Sequence, residues 1–165
     1  MYTKGDIVLY PMHGAGVIED FEEKNIDGVV RNYYVLNIPL GNLKVMLCED
    51  SIESANLRKI MECGYILSTL ETVAGSIKRT LRSESWNQRH KDNMEKIKTG
   101  DFEQTAVVFY ELYHRERERG LSSAEKKILT TAKKIIMSEI MLSYNVDKYE
   151  AEEMLEKYAI FEEVV

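Results

Sequence analysis

Cysteine is scarce: Cys48 and Cys63 are the only two in a chain of 165 residues. They form no CxxC pair and no spaced set of metal ligands, so the simple reading is a reduced, cytoplasmic protein without a structural metal. Histidine is equally thin. His13, His90 and His114 are scattered, and none belongs to a ligand set. His13, beside Gly14, reads as a turn residue. No apolar run approaches the length of a membrane span. The opening Met1-Tyr2-Thr3-Lys4-Gly5-Asp6 lacks the apolar stretch of a signal peptide. There is no GxGxxG, no Walker loop, no HExxH and no GxSxG; Gly14-Ala15-Gly16 by itself signals only a turn. Cys48 ends an apolar strand and reads as buried and inert. With all of these catalytic patterns missing, a binding protein without a cofactor is favoured over an enzyme.

Tryptophan is also rare, and the one present is the most informative residue. Trp86 lies in Arg82-Ser83-Glu84-Ser85-Trp86-Asn87-Gln88-Arg89-His90-Lys91, a polar and basic stretch. Ser85 with Gln88 three residues on reads as a capping box, which puts Trp86 on the first turn of a helix. Two roles are open at this point. The indole could anchor its helix to a neighbour. The other is to stack on bases, with the nearby cations on phosphates; from this segment alone the anchor is favoured. The net charge of −6 is uneven. Residues 1–57 hold 4 Lys+Arg against 9 Asp+Glu, residues 58–134 hold 16 against 11, and residues 135–165 hold 2 against 8. A basic middle between acidic ends suggests a local anionic partner, although most of these cations suit solvated helix faces.

Periodicity divides the chain into two modules. Ile7 to Tyr10, Val17 to Phe21 and on to Ile26, Val29 to Ile38, and Leu43 to Leu47 read as strands, and Asp27-Gly28 is a strong hairpin turn. Four or five short strands imply a small, bent sheet or partly open barrel. From Arg58 the period is helical. A first helix is expected over 58–73, with a loop from Gly75 to residue 84. Four further starts are marked by Ser85…Gln88, Asp101…Gln104, Ser122…Glu125 and Asp147…Glu150. Apolar stripes such as Phe102, Ala106, Phe109 and Tyr113 read as bundle core. The fold class is therefore α+β in two domains: a β module, residues 1–55, and an all-α module of about five helices, residues 56–165. They are joined by a short polar stretch near residues 49–57.

Gly5-Asp6-Ile7-Val8-Leu9-Tyr10-Pro11-Met12-His13-Gly14-Ala15-Gly16 resembles the opening of the CarD (CdnL) family of bacterial transcription regulators. Trp86-Asn87-Gln88-Arg89-His90-Lys91-Asp92-Asn93-Met94-Glu95-Lys96 resembles that family's tryptophan helix, and Gly100-Asp101 and Glu118 to Lys126 follow in the family's order and spacing. A similar module begins the polymerase-interacting domain of transcription-repair coupling factors, but no helicase motif is present here. The resemblance implies a Tudor-like domain docking on the RNA polymerase β subunit, and a helical domain touching promoter DNA in the minor groove at the upstream bubble edge, without sequence preference. By position, Trp86 would be the wedge, and Arg89 and Lys91 the basic DNA contacts. Lys24 would face polymerase. Met46 departs from the pattern, standing where well-known members carry a second polymerase-facing arginine. A monomer without membrane attachment is expected. The competing reading is a non-catalytic adaptor with a peptide-binding β module and a helical scaffold, in which Trp86 would be buried.

Overall fold

The computed structural model describes residues 1–77 and 85–161, with side chains through Ala159. Five antiparallel strands come first: β1 (Ile7–Tyr10), β2 (Gly14–Ile26), β3 (Val29–Ile38), β4 (Leu43–Cys48) and β5 (Arg58–Lys59), in spatial order β4-β3-β2-β1-β5. Five helices follow: α1 (Cys63–Ser76), α2 (Trp86–Lys98), α3 (Phe102–Arg119), α4 (Ser123–Tyr144) and α5 (Lys148–Phe161). The α+β class and the bent N-terminal sheet expected from periodicity are both present.

Turn chemistry sets the sheet register. Asp27 and Gly28 both have positive φ, 52° and 82°, as a type I′ turn requires, and this turn matches the natural twist of the strands it joins. A bulge between Ile18 and Asp20 bends β2. β1 pairs with only Gly14 to Val17 of β2, and β4 only with Tyr33 to Ile38 of β3. The hairpin from Glu23 to Asn32 therefore projects as a two-stranded arm, leaving Ile26, Val29 and Val30 about half exposed.

Alternation along β1 makes the sheet an inner layer. Val8 joins Ile18, Tyr34, Leu36, Ile38 and Leu47 in a small cluster inside the β half. Its neighbour Leu9 points the other way and, with Ala15, joins the larger helical core of Ile66, Leu70, Phe109, Tyr110, Ile136 and Leu155. The helical stripes read from spacing are the ones that pack. Phe102, Ala106 and Phe109, Ile128, Ala132 and Ile135, and Ala151 and Leu155 are buried, with Tyr113, Leu142, Met154 and Tyr158 partly buried against them. Tyr110 donates a hydrogen bond to the Leu155 carbonyl at 2.8 Å, tying α3 to α5.

All four expected helix starts are capped: Ser85, Asp101, Ser122 and Asp147 accept from the backbone N–H of Gln88, Gln104, Glu125 and Glu150. The reciprocal bond of a full capping box is present at Ser122. The first helix differs from expectation. Residues 58–59 are a strand, because the open edge of β1 offers Val8 and Leu9 as backbone partners; the helix starts at Cys63. Nor does it end before Gly75. It runs to Ser76, whose hydroxyl bonds the Val73 carbonyl at 2.8 Å, and Gly75 is tolerated in this last turn. Most of the expected 75–84 loop lies outside the described residues.

The seam between sheet and helices is polar and closely fitted. Arg58 makes two bonds to Glu139 on α4, at 2.7 and 2.9 Å, and a third to the Gly100 carbonyl at 2.7 Å. Glu139 is fully buried and also accepts from the Met61 N–H at 2.7 Å. The Ser138 hydroxyl accepts from the Ala15 N–H at 2.8 Å. At Gly14 (φ +117°) a Cβ would lie 2.9 Å from the Ser138 hydroxyl, so only glycine permits this approach of β2 to α4. Among the described residues, no helix is long and apolar enough to cross a membrane.

Candidate nucleic-acid and polymerase surfaces

Ser85 in extended conformation opens α2 and caps Gln88, so Trp86 is the first helical residue. The helix has a polar outer surface, and Asn93 and Ile97 are its buried anchors. Trp86 is 43% exposed. It is neither a core residue nor a free one. Its Nε1–H donates to the Ser122 hydroxyl at 3.0 Å, and His90, one turn along, stacks on its ring at 5.3 Å between centroids with 23° between planes.

Ser122 caps α4, and its hydroxyl makes three bonds. It accepts from Trp86 Nε1 and from the Glu125 N–H at 3.2 Å, and donates to Glu125 Oε2 at 3.3 Å. That is the full capacity of a hydroxyl. Glu125 Oε1 in turn accepts from Arg89 Nε at 3.3 Å and Nη2 at 3.1 Å. The Arg89 side chain is 15% exposed and that of Glu125 3%. Burial by itself pushes the Glu125 carboxyl upward, but the Ser122 N–H and the Arg89 guanidinium outweigh it and hold the group below its ordinary value. Trp86, Arg89, Ser122 and Glu125 thus form one network joining α2 to α4. Lys91 stands outside it, exposed, with no ion pair among the described residues.

The second surface is on the sheet. Lys24 of β2 and Met46 of β4 are separated by β3, yet the Lys24 ammonium reaches across it to lie 3.2 Å from the Met46 sulfur. Glu22 is 3.9 Å from the same ammonium, with both side chains 43% exposed. The two residues expected to face polymerase are therefore neighbours on the outer face of the sheet. In register Met46 pairs with Val35 of β3, whereas Lys24 pairs with Arg31, four residues away on the same strand, so the lysine side chain reaches diagonally.

Among the described residues no three His, Cys, Asp or Glu side chains cluster as a metal site. His13 lies in the turn after β1, 4.3 Å from the Tyr10 ring. Cys48 is half-buried rather than buried.

Sequence reasoning put Trp86, Arg89 and Lys91 on one capped helix but missed two partners of Trp86. His90 was legible in principle, since it stands four residues after Trp86 on a helix. Ser122 was not: it was identified as a cap, and nothing in its local sequence points to an indole 36 residues away.

Two family models match the chain. The one described as CarD-like/TRCF RID domain covers residues 2–61, and the one described as CarD, C-terminal domain covers residues 69–156. The chain is also 36% identical, over 141 residues, to the Bacillus subtilis (strain 168) protein named "Putative transcription factor YdeB", across 85% of this chain and 90% of that protein.

Proposed function

The chain belongs to the CarD family of transcription regulators, with an RNA polymerase-interacting domain, and from that membership we propose that it docks on the polymerase β subunit and steadies the open promoter complex with Trp86. The β half, through β5 at Arg58–Lys59, carries the docking surface around Lys24 and Met46. The helical half, from α1 onward, carries the DNA contact. This reading places the protein in the bacterial cytoplasm beside polymerase.

The observation that carries the proposal is the state of Trp86. A large indole, 43% exposed, is held at the start of a polar helix with an exposed cation, Lys91, five residues further along it. An indole placed at a base step partly unstacks it and stabilises the distorted duplex at the bubble edge. Lys91 supplies a phosphate contact that positions without specifying sequence. Arg89 is mostly buried against Glu125, which meets its charge, and it serves the wedge by holding α2 to α4. A chain of net charge −6 binds free DNA weakly. Docking on polymerase would overcome this by raising the local concentration of the wedge. The peptide-adaptor reading requires Trp86 to be buried and draws no support from its exposure.

Trp86→Ala tests the proposal. The variant should fold and dock like the parent while open complexes lose about 1–3 kcal/mol of stabilisation, the scale of one stacked base. Open-complex lifetimes on a promoter, measured beside circular dichroism and polymerase affinity, separate the outcomes. An unfolded variant would make Trp86 a structural anchor. A folded one with parental lifetimes would remove it from the DNA interface.

A further inference from the structure

We infer that Trp86 is a preset, one-faced stacking platform, positioned by Ser122 and His90, that takes the face of a single unstacked base without distinguishing which base it is. The inference rests on the reading of Trp86 as the DNA contact and adds how the indole is presented.

Three observations carry it. First, the indole has one polar group, Nε1–H, and the Ser122 hydroxyl accepts it at 3.0 Å. A satisfied N–H is not available to acceptors on base edges, so what remains to contact DNA is ring surface. Ring surface stacks on any base. Second, the His90 imidazole covers one face of the indole, 5.3 Å away and tilted by 23°. An indole backed by imidazole cannot enter between two bases with both faces open; it can cap one. Third, the residue that holds the N–H is itself immobilised. Ser122 is the N-cap of α4, and all three hydrogen-bonding capacities of its hydroxyl are used within 3.3 Å. Glu125, which accepts the hydrogen bond of the Ser122 hydroxyl, is fixed by Arg89. The indole is therefore held against the start of a second helix, and the entropy of ordering a large side chain is lost on folding rather than on DNA binding.

The test uses the full chain and its only tryptophan, which gives one indole N–H cross-peak in a proton–nitrogen spectrum. Ser122→Gly removes the acceptor with little harm to the cap. Ser122→Thr restores a hydroxyl. In Ser122→Gly the indole N–H should exchange about fivefold faster than in the parent, the factor that one ordinary net hydrogen bond represents. Ser122→Thr should return it toward the parent rate. Open-complex lifetime should fall by roughly two- to tenfold in Ser122→Gly, again about the factor of one hydrogen bond, with polymerase affinity unchanged and recovery in Ser122→Thr. On two promoters that differ in the base at the upstream bubble edge, the lifetime ratio of parent to Trp86→Ala should agree within about twofold, as sequence-tolerant stacking requires. Parental exchange in Ser122→Gly overturns the tether. A strong dependence on base identity overturns the one-faced platform. If Trp86→Ala shortens lifetimes but Ser122→Gly, with its N–H released, does not, the positioning role fails while the wedge stands. If Trp86→Ala itself leaves lifetimes unchanged, the wedge fails and this inference goes with it.

Discussion

Lys24 on the sheet and Arg89 on α2 are both cations next to a carboxylate, and they sit under different physics. Lys24 is 3.9 Å from Glu22, with both side chains 43% exposed. Water screens such a pair, and its net contribution is small. Arg89 meets Glu125 at 3.1 Å with side-chain exposures of 15% and 3%. There the carboxylate is also bonded by Ser122, so the pair is geometrically defined and costly to break. The difference suits two kinds of contact. A docking face that meets a folded partner can leave its side chains to be ordered by that partner. A residue that has to enter a duplex gains from being ordered beforehand.

Ion pairs of increasing burial sharpen this contrast. The extreme case is the seam pair, in which Glu139 is fully buried and bonded to Arg58 and the Met61 N–H. Glu139→Ala strands the Arg58 charge and one backbone donor. Denaturant unfolding should show a loss of about 3–5 kcal/mol, the cost of removing one partner from a buried pair. A loss below about 1 kcal/mol, the range of exposed pairs, would erase the distinction between seam and surface.

Acid should weaken the α2–α4 network through Glu125. The Glu125 carboxyl is held below its ordinary value in the folded chain. It therefore contributes stability that is complete above the unfolded-state value, about 4.3, and is lost as pH falls through the lower folded value. Glu125→Gln should flatten this part of the stability profile. A parent and variant with parallel acid limbs would remove Glu125 from the account.

Lys91→Ala probes the exposed side of α2. Affinity for any duplex should weaken, and the salt slope should fall in magnitude by about 0.9 for one lost phosphate contact. A salt series on two unrelated duplexes reads slope and sequence preference together, and an unchanged slope counts against phosphate contact. The smallest effect on folding is expected at Lys24→Glu, within about 0.5 kcal/mol for an exposed site. Its effect should appear in polymerase affinity, through charge reversal beside Met46. Large destabilisation with undiminished docking would reverse the assigned roles of the two surfaces.

How much of this was legible depends on the range of the interaction. Strands, the Asp27-Gly28 turn and the caps at Ser85, Asp101, Ser122 and Asp147 are local. Each is set by side chains within a few residues of the backbone they bond, so the class, the order of elements and the exposed helical start at Trp86 could be read directly. The first helix was misplaced because Arg58 and Lys59 are good helix formers by local propensity, and the open edge of β1, some fifty residues earlier, overrides that preference. The same holds for the site. Local sequence puts Trp86, Arg89, His90 and Lys91 on one helix. Only the tertiary structure brings Ser122 to the indole, Glu125 to Arg89 and Met46 to Lys24. By itself the sequence determined which groups the protein could present, since propensity, capping and alternation act over a few residues. The packing of α2 on α4 and of β2, β3 and β4 in register decided which of them are held and which are free, because that depends on partners distant in the chain and on the burial that strengthens their bonds.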